Sequence, residues 1–137
     1  MNESSTVQPV LLVENSPDVR RAMVEWLVLQ GYPVHTAING IDALDKLRAG
    51  LRPCLILMHL HTPAMNGFEF RRRQLDDPQL ADIPIVVYSG LYDPQMAAKV
   101  LNATAYLYTP FDIEVLNTII EAHCKRRSWP SPYRKAA

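Results

Sequence analysis

Apolar residues along this chain come in short unbroken runs that alternate with stretches of helical period. Val10-Leu11-Leu12-Val13 is continuous and apolar, the pattern of a strand covered on both faces in a parallel sheet. Ser16 then stands where an N-cap is needed, Pro17 suits the first helical position, and Gly31 ends the segment. Within it Val19, Met23, Trp26, Leu27 and Gln30 recur with helical period, so Met23 and Trp26 are expected in the core. Residues 33–37 form a shorter, more polar run, as an edge strand would. Asn39-Gly40 turns into a second helix over 41–49 that directs Ala43, Leu44 and Leu47 inward. Residues 55–58 read as a central strand, and Gly67 starts a third helix over 68–75. A fourth strand spans 83–88, where Pro84 is tolerable only near the beginning. Asp93-Pro94 repeats the cap-plus-proline signal and opens a helix to about residue 101. Residues 105–108 form a fifth strand. Asp112 caps a last helix reaching about residue 125, with Val115, Leu116, Ile119 and Ile120 on its inner face.

Strands and helices that alternate in this way predict an α/β fold: a doubly wound parallel sheet with right-handed crossovers and helices on both faces, in three layers. Residues 8–125 make up that domain. From Arg126 to Ala137 the text changes to a basic tail with Pro130 and Pro132, too short for an output domain. Its plain reading is a frayed terminus; its sharper reading is a basic, aromatic peptide that docks on a partner or on the domain itself.

Composition narrows the class. The 137 residues are 48% hydrophobic and 20% charged, as in a soluble globular domain. Fourteen basic and fourteen acidic residues cancel, so no global field favours nucleic acid or an acidic membrane. No apolar run approaches the ~20 residues needed to span a bilayer. The opening Met1-Asn2-Glu3-Ser4-Ser5-Thr6 lacks both the basic and the apolar region of a signal peptide, so the cytoplasm is the expected compartment. Cys54 and Cys124 have no CxxC spacing and read as reduced structural thiols.

Four blocks, in order over most of the chain, carry a family resemblance. Val10-Leu11-Leu12-Val13-Glu14-Asn15-Ser16-Pro17-Asp18 is similar to the first strand and magnesium-holding acidic pair of response-regulator receiver domains (CheY-like) of two-component signalling. Leu55-Ile56-Leu57-Met58-His59-Leu60-His61-Thr62-Pro63-Ala64-Met65-Asn66-Gly67 resembles the third strand and its loop. Ile85-Val86-Val87-Tyr88-Ser89-Gly90 matches the fourth strand, and Ala105-Tyr106-Leu107-Tyr108-Thr109-Pro110-Phe111-Asp112 the fifth. The resemblance implies a flavodoxin-like sheet of order 2-1-3-4-5 with five helices. It also implies a pocket at the carboxyl ends of the strands, where open parallel sheets bind ligands.

The resemblance further implies that the pocket has lost its chemistry. His59 occupies the position of the phosphoacceptor aspartate, and an imidazole cannot form an acyl phosphate. Glu14 and Asn15 stand for the acidic pair, Thr109 for the lysine, Ser89 for the switch hydroxyl and Tyr106 for the switch aromatic. Thr109-Pro110 fits the family's cis peptide. With one acid left and nitrogen at His59, magnesium binding is expected to be weak or absent, and no cofactor is implied. A protonated His59 could pair with Glu14, while a neutral one could hydrogen-bond to Ser89 or Thr109. Metal binding by His59, His61 and Glu14 is a minor alternative, because His59 and His61 sit two apart on a strand end and point to opposite faces. Arg71-Arg72-Arg73 reads as a solvated face.

The reading is therefore an atypical single-domain response regulator, a pseudo-receiver, in two-component or phosphorelay signalling. It is not an enzyme, and it acts on signalling protein partners without aspartyl phosphorylation. The interaction surface expected from the family is the face of the fourth helix, fifth strand and fifth helix, with Tyr106 and Tyr108 as anchors. Two rivals stand beside this reading. One is a metal- or small-ligand sensor using the altered pocket, and the other is a homodimerisation module acting through the same face.

Overall fold

The computed structural model describes residues 7–91 and 93–127. Five strands, β1 (Val10–Val13), β2 (Val34–Ala37), β3 (Leu55–His59), β4 (Ile85–Ser89) and β5 (Ala105–Tyr108), form one sheet of order β2-β1-β3-β4-β5. All four pairings are parallel. The helices α1 (Pro17–Leu29), α2 (Gly40–Arg48), α3 (Gly67–Asp76), α4 (Pro94–Leu101) and α5 (Ile113–His123) connect them. This is the flavodoxin-like, doubly wound arrangement expected. The edge position of β2 accounts for its polar, partly exposed run.

Alternation along each strand builds the three layers. Leu11, Val13, Ile56, Met58, Ile85 and Val87 pack with Ala43, Leu44 and Leu47 of α2, Phe70 of α3, and Ala97 and Leu101 of α4. Val10, Leu12, Leu55, Leu57, Val86 and Leu107 pack on the other face with Leu27 of α1 and Leu116 and Ile120 of α5. Each such buried aliphatic side chain contributes roughly 1.5–3 kcal/mol of transfer free energy. Every helix begins on a side-chain cap: Ser16, Asn39, Asn66, Asp93 and Asp112 each accept a first-turn backbone N–H. Local chemistry thus sets where each helix starts, and the sheet decides which face it buries.

Four expectations change. Met23 and Trp26 are only partly buried at the edge of the α1/α5 layer. Val115 is 47% exposed, so α5 turns a narrower stripe inward than its apolar spacing suggests. Arg71 does not belong to a solvated face. It is buried, and it donates from Nε to Leu101 O at 2.9 Å, from Nη2 to Asn102 O at 2.6 Å and from Nη1 to Gln74 Oε1 at 2.8 Å. The guanidinium thereby satisfies carbonyls left over at the end of α4, whose cap residue Asn102 is left-handed. Its neighbours Arg72 and Arg73 are exposed and pair with Glu69. Finally, Cys54 and Cys124 are joined as a disulfide with Cα atoms 5.4 Å apart. Primary-structure spacing could not reveal this pairing, because it depends on where the end of α5 meets the start of β3.

Among the described residues no helix is long and apolar enough to cross a membrane. Of the expected tail only Arg126 and Arg127 lie within the described residues. Both are bound to the domain: the Arg126 guanidinium sits 5.1 Å from the Tyr32 ring centroid, and Arg127 N–H donates to Gly31 O at 2.8 Å. The remainder of the tail and the opening Met1–Thr6 segment lie outside the described residues.

Candidate functional site

Three strands carry the residues that define the site at or beside their carboxyl ends. Glu14 follows β1 and lies on the α1/α5 side of the sheet, in phase with Val10 and Leu12. His59 ends β3 in phase with Leu55 and Leu57, and Tyr88 lies in β4 in phase with Val86. Parallel register places His59 directly beside Tyr88. Two rings on the same face of adjacent strands stack, with centroids 5.2 Å apart and planes 9° from parallel.

Glu14 is the hub. Its side chain is 2% exposed, yet each of its oxygens accepts a hydrogen bond. Tyr88 donates its hydroxyl to Oε1 at 2.6 Å, and the Ser16 backbone N–H donates to Oε2 at 2.9 Å. His59 Nδ1 stands 3.5 Å from the same Oε2. Burial raises the Glu14 carboxyl pKa, but the donors His59, Tyr88 and Ser16 together outweigh it and hold the group below its ordinary value. Burial, reinforced by the hydrogen bond to this carboxylate, drives the Tyr88 phenol far upward, so it stays protonated and remains a donor. Arg20 Nη1 adds a hydrogen bond to the Glu14 carbonyl at 2.8 Å, pinning the start of α1 to the strand end.

The other predicted positions are near but differently engaged. Asn15 is exposed beside Glu14. Ser89 is fully buried, and its Oγ accepts the Leu91 N–H at 3.1 Å, so the hydroxyl organises its own loop. Thr109 is partly buried, and a Cβ at Gly90 would stand 2.8 Å from its Oγ1; glycine there allows the β4 and β5 ends to close up. The Thr109–Pro110 peptide is cis. Tyr106 packs against the opposite layer, the one holding α4, while Tyr108 is 48% exposed. His61 approaches His59 edge-on, with ring centroids 6.1 Å apart. Burial and the neighbouring charge of His59 lower its pKa. Of the side chains open to His59, Glu14 is the one within ion-pair distance, 3.5 Å from Nδ1.

Tyr88 is the residue that sequence reasoning missed. Its signal was available: His59 and Tyr88 share strand phase and lie near the same strand-end level. Tyr88 also forms part of an apolar cavity of about 360 Å3 between α1 and α5, together with Met23, Trp26, Thr109, Phe111 and Leu116.

Magnesium does not suit this donor set. A hard divalent ion requires several oxygen ligands. Here the single carboxylate has both oxygens engaged by protein donors, and His59 beside it offers nitrogen rather than oxygen. Among the described residues, no group of three or more His, Cys, Asp or Glu side chains could hold a metal ion.

The family model described as the response regulator receiver domain matches residues 10–121. Protein PilG of Pseudomonas aeruginosa is 29% identical over 126 residues, covering 90% of this chain and 92% of that protein. Sporulation initiation phosphotransferase F of Bacillus subtilis is 28% identical, covering 88% of this chain and 97% of its own length. The solved chemotaxis response regulator CheY4 of Vibrio cholerae superposes with a TM-score of 0.75 at 30% identity, over 85% of this chain and 98% of that one. Other relatives are much longer: the chain spans 28% of Regulatory protein AtoC of Escherichia coli and 49% of the regulator RpaA of Synechocystis.

Proposed function

This chain belongs to the response regulator receiver domain family, and on that premise we propose that it works as a pseudo-receiver in two-component or phosphorelay signalling. Receiver domains are signalling modules that interact with partners such as histidine kinases. In this reading the chain binds its partner in the cytoplasm through surface contacts and takes no phosphoryl group on an aspartate. The observation that carries it is the Glu14–His59–Tyr88 cluster. Both oxygens of the Glu14 carboxylate already accept hydrogen bonds from the protein, and His59, which the resemblance puts at the phosphoacceptor position, offers a nitrogen base. Phosphorylation of an aspartate needs a metal clamp and a carboxylate nucleophile, and neither is supplied by these side chains.

A protein without a working pocket must act through its surface. Apolar side chains cluster on the outer face of α4 and β5: Met96 is 56% exposed, Val100 67% and Tyr108 48%. Met96 and Val100 are one helical turn apart and so share a stripe, which favours a partner with a complementary apolar surface. The same surface would serve a homodimer. The apolar α1/α5 cavity favours the second reading, a small-ligand sensor, because Tyr88 joins it to the site.

Two measurements test the proposal. Intact mass after incubation with acetyl phosphate and magnesium should show no adduct; a hydroxylamine-labile phosphoryl adduct, the mark of an acyl phosphate, would overturn it. In a titration against a partner captured by cross-linking, Tyr108→Ala should weaken binding at least ~30-fold, the equivalent of a ~2 kcal/mol hot spot. His59→Ala should do much less. The reverse ranking would return function to the pocket.

A further inference from the structure

The two cysteines sit at the amino end of the sheet, away from the site, and their surroundings provide for both of their oxidation states. Cys54 precedes β3, and Cys124 is the residue on which α5 ends. Their Cα separation of 5.4 Å lies within the range that a disulfide spans, and the bond closes across 70 residues of chain. Both belong to the α1/α5 core layer with Val10, Tyr32 and Ile120, so each packs as a small apolar side chain whether or not it is bonded. Cys54 Sγ also lies 3.4 Å from Pro9 O and 3.5 Å from Gln8 O. Reduced Cys54 would therefore donate to a carbonyl already in place. The end of α5 has its own closure, too, since Cys124 N–H donates to Ile120 O at 2.8 Å.

What the bond adds is a covalent fastening for the segment that follows. Beyond Cys124, Arg126 lies over the Tyr32 ring and donates to Glu121 Oε1 at 2.9 Å, and Arg127 N–H reaches Gly31 O. Of these contacts the Arg126–Glu121 ion pair is partly exposed and of small individual worth, while Tyr32 and Gly31 are buried. With the bond made the contacts cooperate with a fixed anchor; with it broken they must hold α5's last turn and the chain after it unaided. In a reducing compartment such as the cytoplasm expected here, disulfides are transient and redox-sensing rather than permanent.

We propose that Cys54 and Cys124 form a reversible thiol–disulfide site that sets how firmly the end of α5 and residues 125–127 are held to the base of α1. Reduction breaks the S–S bond and takes two electrons and two protons from a dithiol, which becomes a disulfide; oxidation runs the same exchange in reverse. This goes beyond the pseudo-receiver reading and would stand if that reading failed, because it involves none of the pocket residues.

The test uses the full chain in buffers of stepped oxidised-to-reduced dithiothreitol ratio. Free thiols are trapped with a maleimide and counted by intact mass, and amide hydrogen exchange is read across α5 and residues 124–127. Two thiols should appear together as a single couple while the protein stays folded. Exchange at the Arg127 amide and the last turn of α5 should rise by about tenfold or more on reduction. Cys54→Ala and Cys124→Ala should each show the faster pattern in both buffers, so either variant serves if the other folds poorly. Two free thiols in fully oxidising buffer would overturn the proposal. So would a bond that yields only on unfolding, or reduction that leaves exchange unchanged.

Discussion

Tyr88 donates its hydroxyl to Glu14 Oε1 across 2.6 Å, tying the end of β4 to the loop that follows β1 through a buried contact 74 residues apart in sequence. The carboxylate is 2% exposed and cannot turn to water for a replacement partner. Hydrogen bonds to charged groups are worth about 1.5–3 kcal/mol net, and an unsatisfied buried acceptor costs a similar amount. Tyr88→Phe keeps the ring stack on His59 and deletes only the donor. We expect it to lower stability by about 2 kcal/mol in urea titrations. An unchanged midpoint would show that the carboxylate finds another donor.

Restoring phosphorylation should take more than one substitution. His59→Asp alone would bring a second carboxylate beside Glu14 without a metal or a lysine, and like charges at that distance disfavour ionisation of both. Asn15→Asp, His59→Asp and Thr109→Lys together are the smallest set expected to give magnesium-dependent labelling by acetyl phosphate. Robust labelling of the single variant would show that the surviving residues already suffice.

Acid should weaken the fold through this cluster, and the sign follows from the direction of the shifts. Glu14 is held below its ordinary value of 4.5 when folded. Its contribution is therefore present above that value and is lost as pH falls through the lower, folded value. His61, also shifted down from 6.5, binds its proton more readily in the unfolded chain, so it too favours unfolding as pH drops below 6.5. Unfolding free energy measured between pH 7 and 3 should decline, and Glu14→Gln should flatten the acid limb. An equally steep limb in that variant would assign acid sensitivity to other carboxylates.

The three arginines of α3 should separate in a mutational scan. Arg71→Ala strips Leu101 O, Asn102 O and Gln74 Oε1 of a donor in a buried site, so a loss of about 2–3 kcal/mol is expected, with faster amide exchange in α4. Arg72→Ala and Arg73→Ala break only exposed pairs with Glu69 and should stay within about 0.5 kcal/mol of the parent. Equal effects at all three positions would contradict the buried role of Arg71.

Elements and layers were legible in the residues because they rest on local or periodic rules. Ser16, Asn39, Asp93 and Asp112 cap helices through their own first turns, and continuous apolar runs such as Leu55–Met58 can be satisfied only in a doubly covered sheet. The resemblance carried by four strand ends directed attention to Glu14 and His59, which the fold brings within 3.5 Å of each other. What lay beyond reach was every contact that depends on register or on the rigid-body placement of helices. Strand phase puts His59 and Tyr88 on one face, but only the β3–β4 register sets them side by side and frees the phenol for Glu14. Arg71 looks like its neighbours in sequence, and only the docking of α4 onto α3 turns it into a buried donor. Cys54 and Cys124 read as separate thiols until the end of α5 is laid against the start of β3. The sequence determined by itself the alternation, the caps and the strand ends, since these need only neighbours along the chain. Tertiary structure decided the partners, since side chains far apart in sequence meet only after the sheet has set their distances.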